Sequence, residues 1–168
     1  MRGLLDVNVL VALLDRQHVA HARAHLWLSQ HLTEGWASCP LTENGCLRVL
    51  TNPRYPAPLP AADVLAKLET AKSSGHQEFW PDDLSVTDSA IFERGRFSSH
   101  QQVTDAYLLA LAIRHAGRLV TFDTAFRLTL SNAPAKSISS SSERPAVLSA
   151  ASDGNCEEPA RLPAARPV

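Results

Sequence analysis

Four acidic side chains stand where an α/β chain gathers its chemistry: Asp6, Glu43, Asp105 and Asp123. Asp6 follows the short apolar segment Met1–Leu5 and precedes Val7-Asn8-Val9-Leu10, the pattern of a buried strand closed by a carboxylate with a helix behind it. Asp123 closes the apolar run Arg118–Phe122 in the same way. Glu43 falls in the first turn of a helix that Pro40 is expected to open, and Asp105 in the first turn of one that Thr104 is expected to cap. Each acid alone has an ordinary explanation, as an N-cap or as a charge against a helix dipole. Together they share a location. In an open parallel sheet, ligand sites form along the edge where strands end and helices begin.

Carboxylates crowded round one cleft repel one another, and some take up protons unless a cation is present. Hard divalent ions such as Mg²⁺ and Mn²⁺ favour oxygen ligands and commonly keep waters and a substrate phosphate. A site of that kind can activate a water and neutralise a phosphodiester under attack, so a nucleic-acid backbone is the expected substrate. No serine or histidine nucleophile stands at a comparable position. His21 and His25 are spaced i, i+4 with His18 on the same side, but no cysteine or acid of matching spacing completes a metal set. They are expected to form a solvated or interface face.

The elements that must position these acids follow from periodicity. The segment Val103–Phe126 holds the clearest of them: a helix with Leu108, Leu109, Ala112 and Ile113 on one apolar face, Gly117 as its stop, then the strand ending at Asp123. Further helices are expected over His18–Leu32, Pro40–Leu50, Ala61–Ser74 and, briefly, Asp88–Arg94, with strands at Trp36-Ala37-Ser38 and Glu78-Phe79-Trp80. Pro53–Pro60 reads as a rigid, exposed loop whose Arg54 and Tyr55 could meet a nucleic acid, or nothing. Arg94, Arg96 and His100 form a weak basic patch, which a solvated loop explains about as well. Strands alternating with helices predict an α/β fold, a central parallel sheet with helices on both faces. The expected domain spans residues 1–130. Residues 131–168, rich in Ser, Ala and Pro, are expected to be a low-complexity tail with at most one marginal edge strand, near Lys136–Ser139 or Ala146–Leu148.

Composition sets outer bounds. The chain has 168 residues, 45% of them hydrophobic, enough for one domain with its own core. A net charge of −1 supplies no long-range field toward nucleic acid, so RNA contact rests on local groups. Cys39, Cys46 and Cys156 are scattered without metal or redox spacing, which fits a reduced, cytoplasmic setting. Asp6 and Asp15 interrupt the only N-terminal apolar run, and no stretch approaches the roughly 18 apolar residues of a membrane helix.

Four segments carry a family likeness: Leu4-Leu5-Asp6-Val7-Asn8-Val9-Leu10, Leu41-Thr42-Glu43-Asn44-Gly45, Val103-Thr104-Asp105-Ala106-Tyr107-Leu108-Leu109-Ala110 and Leu119-Val120-Thr121-Phe122-Asp123. In order and spacing, together with Phe79-Trp80-Pro81-Asp82-Asp83-Leu84 between them, they resemble the motifs of PIN-domain ribonucleases, and more narrowly the VapC-type toxins of bacterial toxin–antitoxin pairs. The resemblance implies a Rossmann-like fold and endonucleolytic cleavage of RNA dependent on Mg²⁺ or Mn²⁺. It also implies a homodimer neutralised by a cognate VapB-type antitoxin. Asp6, Glu43, Asp105 and Asp123 would be the catalytic acids, Asp6, Asp105 and Asp123 the metal ligands, and Asn8 and Thr121 supporting polar groups. The apolar edge strand usual after the fourth motif has only a poor candidate here.

Phosphatases that begin on a first-strand aspartate need a second one two residues later, and Asn8 occupies that position. A phospho-accepting receiver needs a late lysine that does not follow Leu119 in time. The remaining alternative is a PIN-like module that binds RNA or protein with little or no catalysis.

Overall fold

In a computed structural model the described residues are 1–92, 101–123 and 146–148. The elements run β1 (Gly3–Leu5), α1 (Val7–Leu14), α2 (His21–Gln30), β2 (Trp36–Ser38), α3 (Pro40–Leu50), α4 (Ala61–Lys72), β3 (Gln77–Phe79), α5 (Gln101–Arg114), β4 (Arg118–Thr121) and β5 (Ala146–Leu148). The strands form one sheet in the order β3-β2-β1-β4-β5. All pairings are parallel except the last, in which β5 runs antiparallel to β4 and sets Thr121 opposite Ala146.

Strand order reverses once. The chain steps outward from β1 to β2 to β3, then returns through α5 to add β4 on the free side of β1. Right-handed crossovers in opposite directions put their helices on opposite faces. Side-chain alternation along the strands matches this. Leu4, Ala37 and Leu119 face Leu108, Leu111 and Ala112 of α5. Leu5, Trp36 and Val120 face the layer built by Val9, Leu10, Trp27, Cys46, Leu50, Val64 and Leu68 from the other four helices. The two cores bury their leucines almost completely, so the strands, only three or four residues long, are held by packing on both faces. Gly45 lets α3 close on α1: a Cβ there would lie 2.6 Å from a Val7 methyl.

Several sequence expectations shift. The helix expected to start at Thr104 is already formed at Gln101, so Asp105 lies in its second turn and not at its cap. It ends at Arg114, and its left-handed stop falls one residue before the expected glycine. Ala116 takes the left-handed conformation (φ 50°), with Gly117 N–H donating to Ala112 O and Ala116 N–H to Ile113 O. Gly117 is needed for space instead, since a Cβ on it would meet the Trp80 ring at 2.5 Å. Because a left-handed alanine carries a steric cost of about 1–2 kcal/mol, Ala116→Gly is expected to stabilise the fold by about 1 kcal/mol in urea unfolding.

Residues 88–92 form a turn, and the rest of the short helix expected over Asp88–Arg94 lies outside the described residues, as does the patch at Arg94, Arg96 and His100. His21 is half-buried and His25 exposed, and both bond to the end of α1: Nδ1 of His21 donates to Ala12 O (2.8 Å) and Nε2 of His25 to Leu13 O (3.2 Å), while Lys67 donates to Leu14 O. These three side chains satisfy carbonyls that the end of α1 would otherwise leave open. Tyr55, expected to be available to a ligand, donates its hydroxyl to Asp15 (2.7 Å). The strand expected at Glu78–Trp80 is Gln77–Phe79, and Trp80 turns into the α5 core. Of the two candidate tail strands, Ala146–Leu148 pairs with β4, while Lys136–Ser139 lies outside the described residues. Burial pushes the thiols of Cys39 and Cys46 up to about 11 and about 12, so neither is a reactive thiolate. Among the described residues no helix is long and apolar enough to cross a membrane.

Candidate active site

The point where strand order reverses lies between β1 and β4, and it is there that an open α/β sheet offers a crevice. Asp6 follows the last residue of β1 and starts α1, with one carboxylate oxygen accepting Val7 N–H at 2.6 Å. Its other oxygen accepts the Thr121 hydroxyl from the end of β4 at 2.8 Å. The same hydroxyl oxygen accepts the Asn8 amide (3.1 Å) and Asp123 N–H (3.1 Å). Asn8 in turn accepts Phe122 N–H on its carbonyl (3.2 Å). Asn8 and Thr121 thus form a clip that ties the first turn of α1 to the end of β4, fixing Asp6 relative to Asp123. Behind the clip, the Arg23 guanidinium lies 4.2 Å over the Phe122 ring.

Asp105 reaches the same place from α5. Burial is the main cause that raises its proton affinity, and the charges of Asp6 and Asp123 raise it further, to about 6. Asp6 is also raised, chiefly by burial; the bonds from Thr121 and Val7 oppose the shift and the charge of Asp123 adds to it. Asp6 is buried, Asp105 half-buried and Asp123 exposed. The carboxylates therefore sit at graded depth, with the charge of Asp123 disfavouring that of Asp6 and both disfavouring that of Asp105. That is the condition a cation relieves.

Among the described residues no group of three or more His, Cys, Asp and Glu side chains closes into a ligand cage. Magnesium ions are commonly held by only one or two carboxylates, with water and phosphate completing the shell, so an open set of oxygen donors fits such an ion. The soft ligands that would favour another metal are not presented here, since both described cysteines are buried in the core.

The PIN domain family model matches residues 3–129, spanning all the acids above. The chain belongs to the PIN-domain family. It is 52% identical over 129 residues to Ribonuclease VapC44 of Mycobacterium tuberculosis, covering 77% of this chain and 91% of that protein. It is 43% identical over 126 residues to Ribonuclease VapC39 of the same species (74% and 91% covered). Ribonuclease VapC38, also from that species, is 46% identical over 122 residues (72% and 84%). These relatives place it with the VapC type of PIN protein. A crystal structure of VapBC2 from Rickettsia felis bound to a DNA fragment from their promoter shares the fold, with a TM-score of 0.52 at 15% identity over 75% of this chain and 91% of that one.

Of the PIN motif acids, the structure brings Asp6, Asp105 and Asp123 into mutual electrostatic contact. Glu43 is engaged differently. One of its oxygens accepts both the Ser38 hydroxyl (2.6 Å) and the Lys72 ammonium (2.8 Å), and Gln77 donates to Ser38 (2.9 Å). Sequence reasoning missed Ser38, Lys72 and Gln77. A polar residue ending an apolar strand, as Ser38 does, is the one local signal that could have pointed to this group.

Proposed function

We propose that this PIN protein is a divalent-metal-dependent endoribonuclease toxin that works in the cytoplasm. We further propose that it acts as a homodimer and is held inactive by a cognate VapB-type antitoxin. The observation that carries the reading is the meeting of Asp6, Asp105 and Asp123 at the reversal between β1 and β4. Its family and its VapC relatives supply the reaction class, and the VapBC2 complex from Rickettsia felis supports the kind of partner.

Asp6, Asp105 and Asp123 are the oxygen donors that would hold Mg²⁺ or Mn²⁺. When bound, the cation supplies charge neutralisation at the phosphodiester and activation of the attacking water. Asn8 and Thr121 keep Asp6 oriented, and the Thr121 hydrogen bond favours its ionised, ligating form. Thr121→Val preserves shape but removes that bond, and is expected to weaken Mn²⁺ binding by about tenfold or more in a calorimetric titration, the usual cost of losing an outer-shell partner.

The deciding experiment incubates the purified chain with RNA, with and without Mg²⁺ or Mn²⁺. Metal-dependent cutting that disappears in Asp6→Asn and Asp105→Asn supports the nuclease. RNA retained equally by all three proteins, without cutting, overturns it in favour of a binding module.

A further inference from the structure

A second concavity adjoins Asp6, and Val7 connects the two. The Val7 N–H donates to the Asp6 carboxylate, and Val7 also lines a pocket of about 550 Å³ between the start of α1 and the C-terminal half of α3. Arg48, Val49, Thr51 and Asn52 form the opposite wall. The polar groups left over on that wall are donors. The Thr51 hydroxyl is spent on Leu47 O (2.8 Å), and Asn52 Oδ1 accepts Arg54 N–H (2.9 Å). The Asn52 amide nitrogen and the Arg48 guanidinium remain, a set that suits an anion rich in acceptors. Arg48 has no acidic partner among the described ion pairs, whereas Arg2, Lys72, Arg114 and Arg118 are each paired with a glutamate or an aspartate. Asn44 and Asn52, one turn before and after it, are uncharged. As a cation in the last turn of α3, Arg48 also meets the helix dipole. The carbonyls there are already taken, however: Leu47 O by Thr51, Val49 O by Asn52 and Leu50 O by Leu59. The helix end is satisfied without the Arg48 side chain.

We propose that this pocket is a subsite for the RNA backbone beside the bond that is cut, where Arg48 and the Asn52 amide donate to the oxygens of a flanking phosphate. The inference rests on the metal-nuclease reading above and adds to it a path for the substrate. A strand cut at the aspartates continues past them, and the net charge of −1 offers its phosphates no general attraction. Arg48 supplies a local one. Arginine also grips the acceptor edge of guanine, but unpaired bases are held by stacking on rings, and no aromatic side chain is among the described residues lining the pocket. Arg48 stands away from the reacting atoms, so it strengthens binding alike before and in the transition state.

The test measures binding of short fluorescein-labelled single-stranded RNAs, with and without guanine, by anisotropy in chelator over a range of KCl concentrations. The proteins compared are wild type, Arg48→Gln, Arg48→Lys and, at the other end of α1, Arg16→Gln. Arg48→Gln is expected to weaken binding of both RNAs by about tenfold at low salt, the worth of a hydrogen bond to a charged group. Its log–log salt slope is expected to be shallower by about 0.7, one single-strand phosphate contact fewer. Arg48→Lys restores most of both, and Arg16→Gln matches wild type. In the metal-dependent cutting assay, Arg48→Gln is expected to raise KM with kcat unchanged. The inference is overturned, with the nuclease reading intact, if Arg48→Gln binds and cuts as wild type does, or if its loss is confined to the RNA containing guanine. It is equally overturned if Arg16→Gln loses as much, which marks diffuse surface charge. An Arg48→Gln that changes urea stability but neither the salt slope nor KM shows a helix-end role alone and also overturns it. Wild type that binds RNA through Arg48 yet cuts none with either metal overturns the nuclease reading instead, and wild type that binds no RNA overturns both.

Discussion

Asp105→Asn is expected to abolish metal-dependent RNA cleavage while making the metal-free chain more stable at pH 7. The two effects have one origin. Burial and the charges of Asp6 and Asp123 lift the Asp105 carboxyl from 3.8 to about 6, so at pH 7 the folded chain carries a charge it would rather lose. Asparagine removes that charge. It also removes an oxygen donor, and activity is expected to fall by more than about a hundredfold, beyond the usual cost of losing an outer-shell partner.

The sign of the pH effect follows from linkage. Between about pH 4 and pH 6 the folded chain keeps a proton on Asp105 that the unfolded chain has released, so this group contributes most to stability below the lower value. The contribution is lost as pH rises through 6. After allowance for solvent screening of a half-exposed side chain, the gain from Asp105→Asn at pH 7 is about 1–2 kcal/mol, shrinking toward zero near pH 4. Urea unfolding of both proteins in chelator across that range checks it. A variant less stable than wild type at pH 7 contradicts the crowding of charge on which the site rests.

The second large effect is expected at Trp80. Its indole is 2% exposed, stacks on His115 at a centroid distance of 4.5 Å, donates to Glu78 and lies against Gly117. It also packs in the cluster that seats Leu108, Leu111 and Ala112 of α5. Trp80→Ala opens a cavity under the helix that presents Asp105, and is expected to cost about 3–5 kcal/mol in urea unfolding. Leu65→Ala, at a side chain 47% exposed on α4, is expected to stay within about 0.5 kcal/mol. A loss at Trp80 no larger than that at Leu65 contradicts the account of how α5 is held.

What the chain discloses before folding is uneven. Asp6 and Asp123 were legible because each ends an apolar run abruptly, and Pro40 marked the start of α3 by its fixed φ. The order of strands and helices followed from the alternation of periods. The start of α5 was not legible: Thr104-Asp105 looks like a cap, yet the helix already runs at Gln101 and carries Asp105 inward on its second turn. The stop was misread by one residue because glycine serves two purposes, and Gly117 answers to Trp80 rather than to backbone handedness. The pairing of Glu43 with Lys72 joins residues 29 apart through the packing of α4 on α3, and no local pattern encodes it. The same holds for His21 and His25, whose partners are carbonyls on another helix.

The central claim is that three aspartates far apart in the chain surround one cation, and bound iron tests it directly. With Fe²⁺ in place of the natural ion, ascorbate and peroxide generate radicals that cut the backbone next to the metal. The account predicts cuts at three remote places, beside Asp6, beside Asp105 and beside Asp123, all suppressed by excess Mg²⁺. Cuts confined to one of these places, or clustered elsewhere on the chain, contradict it.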